Sequence, residues 1–220
     1  MIARMLEPEL MEDVAQVIAY AKADFNKPHN EFVQRIKALV SNPAFSGKAL
    51  DLGCGPGDIS RRYAKAFPLS QCDAVDGSKP MIDFALTATK AELQPRLKFI
   101  HGKLPETELP QQHYELIFSN SLLHHLPEPQ VLWQAVKQHS KPGTYVAIMD
   151  LLRPYRGYMA KTLVEMYAAS EPQILQQDFY NSLLAAFTLE EIKDQLAQAG
   201  LSLTAKKVSD RHVFISGITH

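Results

Sequence analysis

The run Ala49-Leu50-Asp51-Leu52-Gly53-Cys54-Gly55-Pro56-Gly57-Asp58 reads as a buried strand entering a glycine-rich turn and then a helix. Glycines in such a turn permit positive φ and let a ligand approach the main chain, and the helix that follows offers N–H groups without partners. A glycine turn alone is a weak signal, so its neighbours decide what it can hold. A dinucleotide fingerprint needs a further glycine where this chain has Asp58. Asp51 and Asp58 flank the loop, Pro56 lacks an N–H, and no Lys or Arg lies between Leu50 and Ile59. A pyrophosphate is poorly received there, whereas a ligand with cationic sulfonium and ammonium groups gains from nearby carboxylates in a partly desolvated site. Asp76 ends the second strand, where a carboxylate can accept hydrogen bonds from both hydroxyls of a ribose. Its rival role is to cap the helix from Ser78 to Ala88.

Further along, Asn120, Ser121, His124 and His125 follow the fourth strand, at the carboxyl edge where α/β sheets bind ligands. A histidine near its unperturbed pKa can take a proton from a nucleophile at neutral pH, and His124 is the preferred candidate over His125. The pair is not expected to hold a metal, because neighbouring side chains should diverge and no Cys, His or Asp cluster completes a ligand set. Tyr20 and His29, between two leading helical patterns, are candidates for closing over the site. The competing reading makes them ordinary amphipathic and linker residues.

These groups need a scaffold, and the apolar periodicity supplies one. Leu10, Val14, Val17, Ile18 and Ala21 share one helical face, as do Phe32, Ile36, Leu39 and Val40 after Pro28. Strand-like runs follow at 49–52, 71–75, 97–101, 115–119 and 145–149, separated by helical faces such as Ile59, Tyr63 and Phe67 or Val131, Leu132, Ala135 and Val136. The alternation predicts an α/β fold with a largely parallel sheet and helices on both sides. Thr188 with Glu191 reads as a capping box for a helix that Gly200 stops. Two more strands, 201–208 and 212–217, are separated by three residues, too few for a crossover helix, so they must be antiparallel. Residues 151–187 carry no strand signal and hold Tyr155, Tyr158, Met159, Met166, Tyr167, Phe179 and Tyr180. They predict a helical insert whose aromatic and methionine side chains wall off the carboxyl edge.

With 220 residues the chain suits one domain, divided as an N-terminal helical cap (1–47), a core (48–150), the insert (151–187) and a last helix with a hairpin (188–217). Its 46% hydrophobic and 21% charged residues exclude a disordered chain, and a formal charge of −1 gives no general attraction to nucleic acid or an anionic membrane. No apolar run spans a bilayer, and Arg4, Glu7, Glu9, Glu12 and Asp13 stand where a signal peptide would be apolar, so a cytoplasmic location is expected. Cys54 and Cys72 are too few for a disulfide framework or zinc site and are expected to be reduced.

In this order the motifs resemble a class I, Rossmann-like S-adenosylmethionine-dependent methyltransferase over Lys48 to Gly217. Asp51 to Gly57 is similar to the family's first motif, Asp76 to its ribose-binding acid, Glu115 to His125 to its fourth motif and Lys141-Pro142-Gly143 to the turn before its fifth strand. The resemblance implies a mixed seven-stranded sheet with an antiparallel C-terminal strand, and S-adenosyl-L-methionine as cofactor, leaving as S-adenosyl-L-homocysteine. Cofactor contacts then fall on Asp51, Gly53, Cys54, Gly55, Gly57, Asp76, Gly77, Ser78, Met81, Gly102, Lys103, Leu104, Asn120 and Ser121. Many relatives place an acid beside adenine after the third strand; here Gly102 and Lys103 stand there, leaving backbone groups of Gly102 to Leu104 to hold the ring. Catalytic candidates are His124, His125, Tyr20 and His29. The acceptor is expected to be a small molecule and not nucleic acid, since Ser119-Asn120-Ser121-Leu122 lacks the Asp/Asn-Pro-Pro-aromatic motif of the nucleic-acid amino methyltransferases. The rival functions are a non-catalytic S-adenosylmethionine-binding protein and a nicotinamide-dependent oxidoreductase.

Overall fold

A computed structural model describes residues 2–8 and 10–220; Glu9, counted above among the N-terminal charges, lies outside them. An arm without regular secondary structure leads to α1 (Val14–Lys22), capped by Asp13, whose side chain accepts from the Gln16 N–H. Leu10, expected on the first helical face, therefore belongs to the arm. The second helix, α2 (Asn26–Val40), starts before Pro28 and takes it into its first turn, where a proline removes no intrahelical bond.

The core alternates as anticipated: β1 (Lys48–Leu52), α3 (Asp58–Ala66), β2 (Gln71–Asp76), α4 (Lys79–Ala88), β3 (Leu97–His101), β4 (Leu116–Asn120), α5 (Gln130–His139) and β5 (Tyr145–Leu151). Then come α6 (Gly157–Tyr167), α7 (Gln173–Ala185), α8 (Leu189–Ala199), β6 (Thr204–Lys207) and β7 (His212–Ile218). The seven strands lie in the order β3-β2-β1-β4-β5-β7-β6, with β7 antiparallel to both β5 and β6. The sixth strand is half the length expected, because only Thr204 to Lys207 pair with β7.

Alternation along the strands sends side chains to two layers. Leu50, Leu52, Ile117, Val146, Ile148, Val213 and Ile215 pack under α5 and α8, around the fully buried Trp133, whose indole N–H donates to Gln195 at 3.0 Å. Ala49, Cys72, Leu116, Phe118, Ala147 and Met149 face α2 and α3 through Phe32, Ile36, Ile59 and Tyr63. Thr188 and Glu191 form the predicted capping box, and Gly200 ends α8 in the left-handed conformation.

The insert forms α6 and α7, but its role differs from the expected wall. Tyr155, Tyr158, Met159, Met166 and Tyr167 are exposed. Its buried side packs against the N-terminal arm and α1: the Met5 N–H donates to the Leu184 carbonyl, Arg4 to that of Ala185, Ser182 to Glu7, and Gln16 of α1 to Asp178. The insert thus covers the carboxyl edge at one remove, by holding the arm in place. Among the described residues no helix is long and apolar enough to cross a membrane.

Candidate functional site

From β1 the chain winds outward through β2 and β3, then returns to lay β4 on the other flank of β1. The reversal opens a crevice beyond the carboxyl ends of β1 and β4, the switch point where doubly wound sheets bind ligands. A cavity of about 310 Å³ lies there, within the roughly 300–1,000 Å³ of small-molecule sites.

The glycine loop forms its floor. Gly53 and Cys54 both donate to the Val75 carbonyl, and Gly57 donates back to Cys54 before starting α3, so the turn is pinned to β2. Gly55, with φ of +51°, carries the decisive geometry: a Cβ placed on it would meet no atom within 4 Å and would occupy space beside the cavity. Glycine therefore leaves room for a ligand against bare main chain. Gly53 serves packing, since a Cβ there would meet Leu122 at 2.7 Å.

Asp76 clamps two segments at once: Oδ2 accepts from the Gly55 N–H and Oδ1 from the Ser78 N–H, each at 2.8 Å. The cap of α4 is Ser78, whose hydroxyl accepts from the Met81 N–H and donates to the Met11 carbonyl. The helix-cap alternative for Asp76 thus falls away, and each oxygen keeps lone-pair capacity. Burial raises the Asp76 pKa against these two bonds. Asp51, wholly buried, accepts from the Ser60 hydroxyl at 2.6 Å, and burial pushes its pKa up to about 7.

Asp58 needs correction. Arg62 Nε and His29 Nδ1 both lie 2.7 Å from its Oδ2, and Arg61 reaches its other oxygen at 4.0 Å. Burial works to raise its pKa, but the bonds from His29 and Arg62 win and hold it at about 2. The loop's acidity toward a ligand therefore comes from Asp51 and Asp76, while Asp58 ties α2 to α3. The absence of basic residues between 50 and 59 did not reveal this, because the compensating arginines sit one helical turn further on.

Of the anticipated site residues, Asp51, Gly53, Cys54, Gly55, Asp76, Gly77, Ser78, Met81, Gly102, Lys103, Leu104, Asn120 and Ser121 line the cavity, as do Tyr20, His29 and His125. Gly57 does not; a Cβ there would strike Phe99, so its role is packing. The Asn120 side-chain N–H donates to Ser121, whose φ of +59° is a strained setting for a non-glycine residue. The Asn120 carbonyl oxygen is buried without a hydrogen-bond partner, an acceptor held ready for a donor from outside the chain.

His124 was the preferred proton acceptor, and its position argues otherwise. It is buried behind the lining, its Nδ1 2.6 Å from Asp150, while His125 reaches the cavity. Burial opposes the charged form of His124, yet Asp150 and Glu7 outweigh it and raise the pKa. Burial, then the neighbouring His124, lowers that of His125 to about 3. The expected divergence of the two side chains also fails: their rings lie 4.2 Å apart, and Glu7 joins them. Arg4, bonded to the carbonyls of His124 and Leu126, brings the arm there.

Phe25, which lies in the stretch with Tyr20 and His29 expected to close over the site, also lines the cavity, and sequence reasoning missed Leu10 and Met11 of the arm and Arg62. Tyr20, Phe25 and His29 form an aromatic row with centroids 5.0 and 5.1 Å apart. Of this row only Phe25 lies between the helices; Tyr20 belongs to α1 and His29 to α2, so the two expected between the helices are part of them. Leu10 and Met11 had no sequence signal for their place in the lining.

Comparison with known proteins agrees with this architecture. Residues 49–143 match the family model described as "Methyltransferase domain". A trans-aconitate 2-methyltransferase of Deinococcus radiodurans is 28% identical over 113 residues, 51% of this chain and 41% of that protein. A malonyl-[acyl-carrier protein] O-methyltransferase of Halalkalibacterium halodurans is 31% identical over 97 residues, 43% of this chain and 35% of that protein. The matches span less than half the length of either relative. A SAM-dependent methyltransferase from Aquifex aeolicus superposes with a TM-score of 0.69 at 16% identity, covering 96% of this chain and 100% of that one. A plantazolicin methyltransferase crystallised with a triazolic desmethylPZN analog and SAH gives a TM-score of 0.69 at 14% identity, covering 94% of this chain and 90% of that one. Residues 49–143 thus match a methyltransferase-domain model, and the mixed seven-stranded sheet is the fold of the solved S-adenosylmethionine-dependent methyltransferases it superposes on.

Proposed function

We propose that this protein transfers the methyl group of S-adenosyl-L-methionine to a small-molecule acceptor, releasing S-adenosyl-L-homocysteine. The observation that carries the reading is the donor and acceptor set of the cavity: bare main chain at Gly55, carboxylates at Asp51 and Asp76, and the unpartnered Asn120 oxygen. This set is acceptor-rich and suits a ligand with ribose hydroxyls, an ammonium and a sulfonium. When bound, the cofactor supplies an electrophilic methyl ready for in-line displacement, so the chain's own task is positioning and exclusion of water.

In this reading Asp76 accepts from the ribose hydroxyls and main chain of Gly102 to Leu104 borders the adenine. Asp51 and Asn120 face the cationic end. Tyr20, Phe25 and His29 close one side. Burial pushes the Tyr20 hydroxyl up to about 12, so it stays protonated and can donate a hydrogen bond at neutral pH. His125, its pKa lowered to about 3, stays neutral at physiological pH and borders the cavity as a hydrogen-bonding group and not as a base. A small acceptor fits the cavity's size and the relatives named for trans-aconitate. A cytoplasmic location fits two free, buried cysteines. Incubation with the methyl donor and a metabolite extract, read by mass spectrometry, should yield S-adenosylhomocysteine and one product heavier by CH2. Cofactor bound but never turned over, across extracts, would leave a non-catalytic binding protein instead.

A further inference from the structure

Three ligand-type atoms meet where the N-terminal arm crosses the turn after β4. Glu7 Oε1 lies 3.6 Å from His124 Nε2 and 3.2 Å from His125 Nδ1, and the three atoms all lie within 4.8 Å of one another. Metal–ligand bonds of about 2.1 Å in a tetrahedron place ligand atoms about 3.4 Å apart, so both measured edges suit one ion. Glu7 Oε1 and His125 Nδ1 are buried and make no hydrogen bond, although only 3.2 Å separates them. A hydrogen-bonded trio would have satisfied both. The Glu7 side chain is only 9% exposed, and although that of His125 is 28% exposed its Nδ1 atom is buried, so the two atoms have little recourse to solvent.

The surroundings have the form that orients metal ligands. Asp150 engages Nδ1 of His124 at 2.6 Å, which leaves Nε2 directed at the cluster, and the Ser182 hydroxyl donates to the second oxygen of Glu7. Glu7 and Asp150 bring two carboxylates to the cluster, against the nearby cation of Arg4, which is held by the His124 and Leu126 carbonyls. We propose that Glu7, His124 and His125 bind one divalent transition-metal ion of the zinc class, with a remaining coordination position toward the cavity that His125 lines. Two imidazoles and one carboxylate with an open position is a ligand set such ions accept. An ion there would hold an acceptor through a coordinating oxygen or sulfur. Only that last role rests on the methyltransferase reading.

The test is titration of the chelator-stripped full chain with cobalt(II) and with zinc(II), by calorimetry and by visible absorption. The expected result is one ion per chain, a cobalt d–d spectrum of a low-coordinate site, and affinity lower by roughly 10–100-fold or more in Glu7→Gln and in His125→Ala. Glu7→Gln keeps the shape and the Ser182 contact, so it decides the question if His125→Ala does not fold by circular dichroism. No uptake at micromolar metal, or uptake unchanged in Glu7→Gln, overturns the proposal. S-adenosylhomocysteine binding measured on the same stripped sample separates the two readings: cofactor bound without ion uptake defeats the metal site alone, and ion uptake without cofactor binding defeats the methyltransferase reading alone.

Discussion

Replacing Asp51 by Asn should flatten the pH dependence of cofactor binding. The Asp51 carboxyl is pushed up to about 7 chiefly by burial, with the Ser60 hydrogen bond opposing and the Asp76 charge adding. With that pKa its ionised fraction rises from about a tenth at pH 6 to about nine-tenths at pH 8. If the bound cofactor's cationic end requires the ionised form, affinity rises about tenfold over that span, roughly 1.4 kcal/mol. The sign for folding is the reverse. The folded carboxyl holds its proton more tightly than the unfolded one, so the cofactor-free protein loses stability as pH rises from about 4 to about 7, by up to about 4 kcal/mol. Calorimetric titration with S-adenosylhomocysteine at pH 6, 7 and 8 should show the tenfold gain in the wild type and its loss in Asp51→Asn. The ligand's own ammonium titrates alike in both, so their difference isolates Asp51. Equal pH slopes in the two proteins would refute the reasoning.

Other substitutions probe the remaining contacts. Asp76→Ala should weaken cofactor binding by roughly 1.5–3 kcal/mol, about 10- to 150-fold, by removing charge-assisted acceptors; unchanged affinity would reduce Asp76 to a brace for Gly55 and Ser78. Gly55→Val should abolish measurable binding while circular dichroism stays native, because the side chain enters open space beside the cavity; its positive φ should cost about 1–3 kcal/mol in thermal stability. Tyr158→Ala, at an exposed insert position, should leave cofactor affinity and turnover intact and stability within about 0.5 kcal/mol; a large loss of turnover would restore the insert as a wall of the site.

The strands, their order of appearance and the antiparallel end were legible because each rests on local periodicity and turn length, as Leu50, Leu52, Ile117 and Ile148 show. Asp76 was legible because its place at a strand end fixes its direction. His124 and His125 were not separable, since a short turn at 123–125 and the pull of Asp150, 26 residues away, set which ring faces the cavity. Glu7, Arg4, Leu10 and Met11 carried no local signal; contacts more than 60 residues distant in sequence fix the arm. The compensation of Asp58 by His29 is of the same long-range kind.

The central claim, that the cavity between the Gly53 loop, Asp76 and Asn120 is a cofactor site, meets its most direct test in equilibrium binding of S-adenosylmethionine and S-adenosylhomocysteine beside NAD and NADP. The account predicts one site for each of the first two and none for the nucleotides, with thermal stabilisation of roughly 2.7 kcal/mol at about 100 times the dissociation constant. Stabilisation by NAD or NADP alone, or no binding of either S-adenosyl compound, would contradict it.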